Sequence, residues 1–85
     1  MRWTWDSRKD RGNRRAHGLD FETAALVFDD PLATSRLDDT TEEERWQTVG
    51  KIGGVIVFVV HTWPEPDGRG EVIGRIISAR KANCA

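Results

Sequence analysis

The chain has 85 residues, 38% of them hydrophobic and 32% charged, with a net charge of −1, enough for one modest core and too little for two. That composition belongs with ordinary globular domains and excludes a fibre or a disordered tract; no apolar run approaches the roughly 20 residues of a membrane span, and MRWTWDSRKD lacks the apolar stretch of a secretory signal. One domain over residues 1–85 is expected, cytoplasmic and without a membrane association, and the single Cys84 agrees with a reducing compartment because it has no internal partner.

In chain order, RWTW alternates as a short strand, and Asp6 reads as the N-cap of a polar helix from Ser7 to His17 that Gly18 stops in a left-handed turn. With Gly12 inside and no apolar face, that helix needs packing or a ligand to hold it. Asp20 caps a second helix with Glu22 in its first turn and Phe21, Ala24, Ala25 and Phe28 as its apolar stripe, ended by Pro31. Leu32 to Leu37 suits a short strand, and the acidic DDTTEEE after it suits a loop. Arg45 to Lys51 alternates, Gly53-Gly54 fits a hairpin turn, and GVIVFVVHT is apolar on both faces, as a central strand covered on both sides would be. PEPDGRG then connects to a last strand in EVIGRIISAR. The fold class is α+β: a strand and two helices, then an antiparallel meander of three to four strands.

Charge is segregated along this order. Residues 1–17 carry six Lys/Arg against two acids, residues 18–45 nine acids against two Arg, and residues 46–85 five cations against three acids. Each block alone is compatible with a solvated face, and together they offer one surface to phosphate and another to a basic partner.

Chemistry centres on the last two strands. His61 continues the face of Val57 and Val59 where its strand runs out, so its ring is expected to emerge at the sheet end, as a proton shuttle or as a hydrogen-bonded histidine without a task. Arg75 and Arg80 carry guanidinium forks that suit phosphate, or solubilise a sheet edge. Strict alternation puts Arg75 and Lys81 on one side and Arg80 on the other, so a shared ligand requires a twist or an early strand end. Trp3 and Trp5 among Arg8, Lys9, Arg14 and Arg15 could stack bases, or lie in the core. No phosphate-binding glycine loop, GxSxG or paired histidine at metal spacing occurs, and neither a metal nor a cofactor is expected.

Trp5-Asp6, Lys9, Asn13 and His17-Gly18, then FETAALVFDDP, ERWQTVG, VFVVHT and RIISARKA, in that order and spacing, resemble the BrnT family of toxins from type II toxin-antitoxin systems, from about Trp3 to Asn83. The resemblance implies a RelE-like fold, metal-independent endoribonuclease activity that arrests growth, and neutralisation by a BrnA-like antitoxin that alone reaches operator DNA. It assigns charge stabilisation to Arg75 and Arg80, proton transfer to His61 or His17 with Glu44 as a further candidate, and RNA contacts to Lys9, Asn13, Arg45 and Lys81. Two departures stand out: DDTTEEE lacks the loop histidine of relatives, and the sequence ends at Ala85 where relatives continue into another helix. With that helix truncated, an apolar sheet face would lose its cover, giving dimerisation through that face or through the antitoxin. The alternative is a weak or inactive homologue that binds the antitoxin and takes part in operon autoregulation.

Overall fold

The structure is a computed structural model that describes residues 1–38 and 44–82. Its elements are β1 (Arg2–Trp5), α1 (Ser7–His17), α2 (Phe21–Ala24) continued by a 3₁₀ turn (Ala25–Asp29), β2 (Thr34–Asp38), β3 (Arg45–Ile52), β4 (Val55–His61), β5 (Glu65–Pro66) and β6 (Val72–Lys81).

Local chemistry sets the helix boundaries. The Asp6 side chain accepts from the Arg8 amide, and Gly18 closes α1 at φ 67° with its N–H on the Arg14 carbonyl. Asp20 accepts from the Thr23 amide at 2.7 Å, and the Asp10 carboxylate accepts from the Phe21 amide at 2.8 Å, so α1 itself satisfies one of the free donors at the start of α2. The second helix is shorter than its apolar stripe suggests, because it tightens to 3₁₀ geometry at Ala25 before Pro31.

Strands β2, β3, β4 and β6 form the expected antiparallel meander, and β1 joins parallel to β6, giving the order β1-β6-β4-β3-β2 with β5 beside β6. Both positions of the β3–β4 turn have positive φ, 55° at Gly53 and 87° at Gly54. The helical layer covers one face of the sheet. Leu19, Phe21, Ala24 and Val27 pack there on Val57, Val59, Ile76 and Ala79, with Trp3, Trp5 and Phe28 around them. Side chains paired across a register share a face, so Ile56, Phe58 and Val60 of β4 lie on the other face with Arg80 and Ser78 of β6. Among the described residues nothing covers that face, and Ile56 is 41% exposed. The expectation that β4 is covered on both sides is therefore corrected: its apolar alternate positions form a strip open to solvent.

One irregularity reorders the faces. Val60 pairs with Ser78 but His61 pairs with Ile76, so β6 carries a bulge at Ile77, and Ile76 and Ile77 are both buried. On the Ser78 side Arg80 faces outward. Past the bulge the parity inverts, Ile76 and Gly74 turn inward, and Arg75 faces outward beside its register partner Thr4.

Candidate functional site

The bulge places Arg75 and Arg80 on one face, which strict alternation forbids. Five residues apart with one spent in the bulge, they are separated by about 13 Å of strand at ~3.3 Å per pair. They therefore bracket a stretch of surface and do not meet at a point. Register adds Arg2, Arg36, Arg45 and Lys51 to the same face, and among the described residues of the strands Asp38 and Glu65 are the acids that project with them. The Arg80 guanidinium lies 4.7 Å from the centre of the Phe58 ring, which holds its stem on the apolar strip. Arg36 donates to the Gln47 amide oxygen at 3.4 Å, and Arg2 pairs with Glu71 at 3.0 Å. At the bulge the Thr62 hydroxyl accepts from the Arg75 amide at 2.9 Å, while the Thr62 N–H donates to the Arg75 carbonyl. The result is a cationic surface with an apolar middle, suited to a polyanion that also has flat apolar groups.

His61 corrects the expectation that its ring emerges into solvent. It is 1% exposed and lies on the helix-covered face, edge-on to Trp3 at 5.0 Å and to Phe28 at 4.9 Å between ring centres. Its Nδ1 faces the Thr62 carbonyl at 2.7 Å and its Nε2 the Thr48 hydroxyl at 2.6 Å. Burial lowers its pKa from the ordinary 6.5, opposed by the hydrogen bond to Thr62, so the neutral ring is favoured. The sheet lies between it and the outward guanidinium groups.

Asn13 is also differently placed from the RNA contact expected of it. At 8% exposure, its Nδ2 donates to the Leu19 carbonyl at 2.9 Å and to the Ala79 carbonyl at 2.7 Å, and its Oδ1 accepts from the Ala79 amide at 3.1 Å. Because β1 pairs with β6 as far as Ile76, among the described residues the β6 edge beyond has no strand on that side, and the Asn13 amide supplies the donor and acceptor such a strand would offer. All its hydrogen-bonding groups are engaged except one lone pair.

Lys9 and His17 lie one turn either side of Asn13 on the same helical stripe, both exposed. Lys81 pairs with Val57 and so belongs to the helix-covered side, opposite Arg80. Glu44 is exposed ahead of β3 and accepts from the Trp46 indole at 3.4 Å. Most of the acidic 38–44 segment, read as a dock for a basic partner, falls at 39–43, outside the described residues. Trp3 and Trp5 are core residues: Trp3 stacks on Phe28 at 3.9 Å and Trp5 meets Phe21 edge-on.

Two residues escaped the sequence reading. Ser35 Oγ and Thr48 Oγ1 are 2.6 Å apart, which extends the His61 hydrogen bonds into a chain ending at β2. Nothing in the sequence spacing joins these hydroxyls; strand register does. Among the described residues no three His, Cys, Asp or Glu side chains gather as metal ligands would, and no helix is long and apolar enough to cross a membrane.

No curated protein matches the chain. Residues 5–85, however, match the family described as ribonuclease toxin, BrnT, of type II toxin-antitoxin system, and with nearly its whole length covered the chain belongs to that family.

Proposed function

We infer that this toxin cuts RNA on the open sheet face, without a metal, and is neutralised in the cytoplasm by a BrnA-like antitoxin. A toxin of a type II system has an antitoxin partner, and the family carries the description of a ribonuclease. The observation that supports the reading is the Ile77 bulge, which turns Arg75 and Arg80 to the face that also holds Arg36, Arg45 and Lys51.

Cleavage through the 2′-hydroxyl needs little else. That oxygen attacks the adjacent phosphorus, the bond to the 5′ oxygen breaks, and a cyclic phosphate and a free 5′-hydroxyl result. One proton leaves the 2′ oxygen and one reaches the 5′ oxygen. Negative charge accumulates on the phosphorane, and fixed guanidinium groups stabilise it. Given their spacing, one of the pair serves the scissile phosphate and the other holds a neighbouring one. For proton transfer, exposed His17 and Glu44 are accessible to solvent, whereas buried His61 is not. Lys9 and Arg45 contribute backbone contacts, and Asn13 acts through the fold.

The test is cleavage of a structured RNA by purified protein with a chelator present. Arg75→Ala and Arg80→Ala are each expected to lower the rate by at least about tenfold, since charge-assisted hydrogen bonds contribute roughly 1.5–3 kcal/mol. Both variants should retain wild-type melting. Undiminished cutting by both removes the assignment, and absence of cutting by wild type, together with intact antitoxin binding, favours the non-enzymatic alternative. The strip of exposed Ile56 and half-buried Phe58 and Val60 suits such binding.

A further inference from the structure

On the helix-covered side, where β4 ends, Trp3, Phe28, Trp63, Pro64 and Val72 line an open cavity of about 350 Å³, with Met1, Ser35 and His61 also in its lining. That size is at the lower end of the range for small-molecule sites, and an apolar, aromatic lining with one or two polar groups is the usual composition of such sites.

The direction of the hydrogen bonds at its polar wall can be fixed. The Thr62 carbonyl can only accept, so His61 Nδ1 carries the hydrogen, and in the neutral ring Nε2 must accept. Thr48 therefore spends its hydroxyl hydrogen on Nε2. Its oxygen then takes the hydrogen of Ser35. With its donor committed inward, Ser35 turns lone pairs to the cavity. The wall presents an acceptor between aromatic surfaces, a combination that fits a flat heterocycle bearing N–H groups.

Arg75 marks what such a ring is attached to. Its backbone is hydrogen-bonded to Thr62, the residue before Trp63, and is in register with Thr4, the residue after Trp3. Two cavity aromatics are thus one residue from the backbone partners of Arg75, while its guanidinium projects from the opposite face. A polynucleotide rounding the sheet end would leave phosphate at Arg75 and turn a base into the cavity.

The geometry points to a nucleobase pocket formed by Trp63, Trp3 and Ser35, which takes a base bearing an amino group and so gives the toxin a preference among cleavage sites. The proposal deepens the RNA-cutting reading and rests on it for the identity of the ligand, but its binding arm does not depend on catalysis.

The test is a titration of the full chain with AMP, CMP, GMP and UMP separately, followed through the tryptophan indole NMR signals. Saturable shifts are expected, with UMP the weakest because its one ring N–H lies between two carbonyl oxygens that oppose the Ser35 lone pairs, whereas the other bases offer an exocyclic amino group. Trp63→Ala should weaken the best nucleotide by about tenfold, as expected for loss of base stacking, and Trp63→Phe should restore most of it. Ser35→Ala should bring the amino-bearing nucleotides down toward UMP. Thermal melting of Trp63→Ala should stay close to wild type, because Trp63 is half exposed and lies outside the strands. No saturable shift with any nucleotide, or equal affinity in Trp63→Ala, overturns the pocket. So does a Trp63→Ala defect confined to antitoxin binding, which would make the cavity an anchor for a protein side chain. Nucleotide binding without RNA cutting would sustain the pocket and sink the ribonuclease reading; cutting at equal rates at all bases, without nucleotide binding, would do the reverse.

Discussion

Replacing Asn13 by alanine distinguishes a clamp from an RNA ligand. The substitution removes three hydrogen bonds, of 2.7, 2.9 and 3.1 Å, from a site 8% exposed, and strands the Ala79 N–H, the Ala79 carbonyl and the Leu19 carbonyl. At about 1 kcal/mol net per bond the loss is about 3 kcal/mol. A domain of this size has a total margin of about 4–13 kcal/mol, so the change takes a large share of it. With about 4–8 °C of melting temperature per kcal/mol in small domains, Tm should fall by about 12–24 °C. Circular dichroism and tryptophan fluorescence should report the same transition. Asn13→Asp should be no better at neutral pH: it keeps the acceptor for the Ala79 amide but sets a carboxylate against two carbonyl oxygens. Below its melting transition, Asn13→Ala should cut RNA within about twofold of wild type, well under the effect of losing a charge-assisted contact. A Tm within about 3 °C of wild type, or a large loss of activity in the folded variant, would refute the reasoning.

Acid should reveal His61. Its folded pKa is lowered, so the unfolded chain binds more protons in the window below about 6.5; stability is full above that value and declines as pH falls toward the folded pKa. Melting temperature measured between about pH 7 and 5 should therefore drop, and His61→Gln should flatten the slope. Asp6, Asp20 and Asp30, all lowered from 3.8 by hydrogen bonds from backbone amides and, at Asp20, first from the Thr23 hydroxyl, lose their contributions only in stronger acid, as pH falls through their folded values. Gly74→Ala should be costly for a different reason. An added Cβ would meet the Trp3 ring at 2.8 and 2.9 Å and at a third atom closer still, and Trp3 cannot yield because Phe28 backs it; a loss of about 1–3 kcal/mol should appear in denaturant melts.

Much of this fold is legible because its signals are local. Asp6, Gly18, Asp20 and the Gly53-Gly54 pair act on backbone groups within a few residues, and each acts as its residue type suggests. β1 is visible as a strand, but its parallel partner is 71 residues away and nothing in RWTW names it. Alternation assigns His61 correctly to the face of Val57 and Val59; what it cannot supply is the pair Trp3 and Phe28, brought from two other elements to close over that face. Asn13 did carry a signal. A poor helix former in mid-helix suggests an engaged side chain, but the polar neighbours on either side conceal its buried face. The side to which Arg75 points was illegible for a simpler reason: the bulge falls at Ile76-Ile77, where no glycine marks it.

That extra residue makes the pairing of the last strand as consequential as its composition. Deleting Ile77 would set Ile76 next to Ser78, so that unbroken pleating would keep Ser78 opposite Val60, Ile76 opposite His61 and Arg75 on the outward face. That deletion would cost a buried side chain and spare the placement of both arginines, whereas straightening the strand with Ile77 kept, so that it rather than Ile76 faced His61, would carry Arg75 to the opposite side. Loop exchanges or chimeras between relatives should conserve the pairing of Ser78 with Val60 and of Ile76 with His61 before they conserve the residue between them.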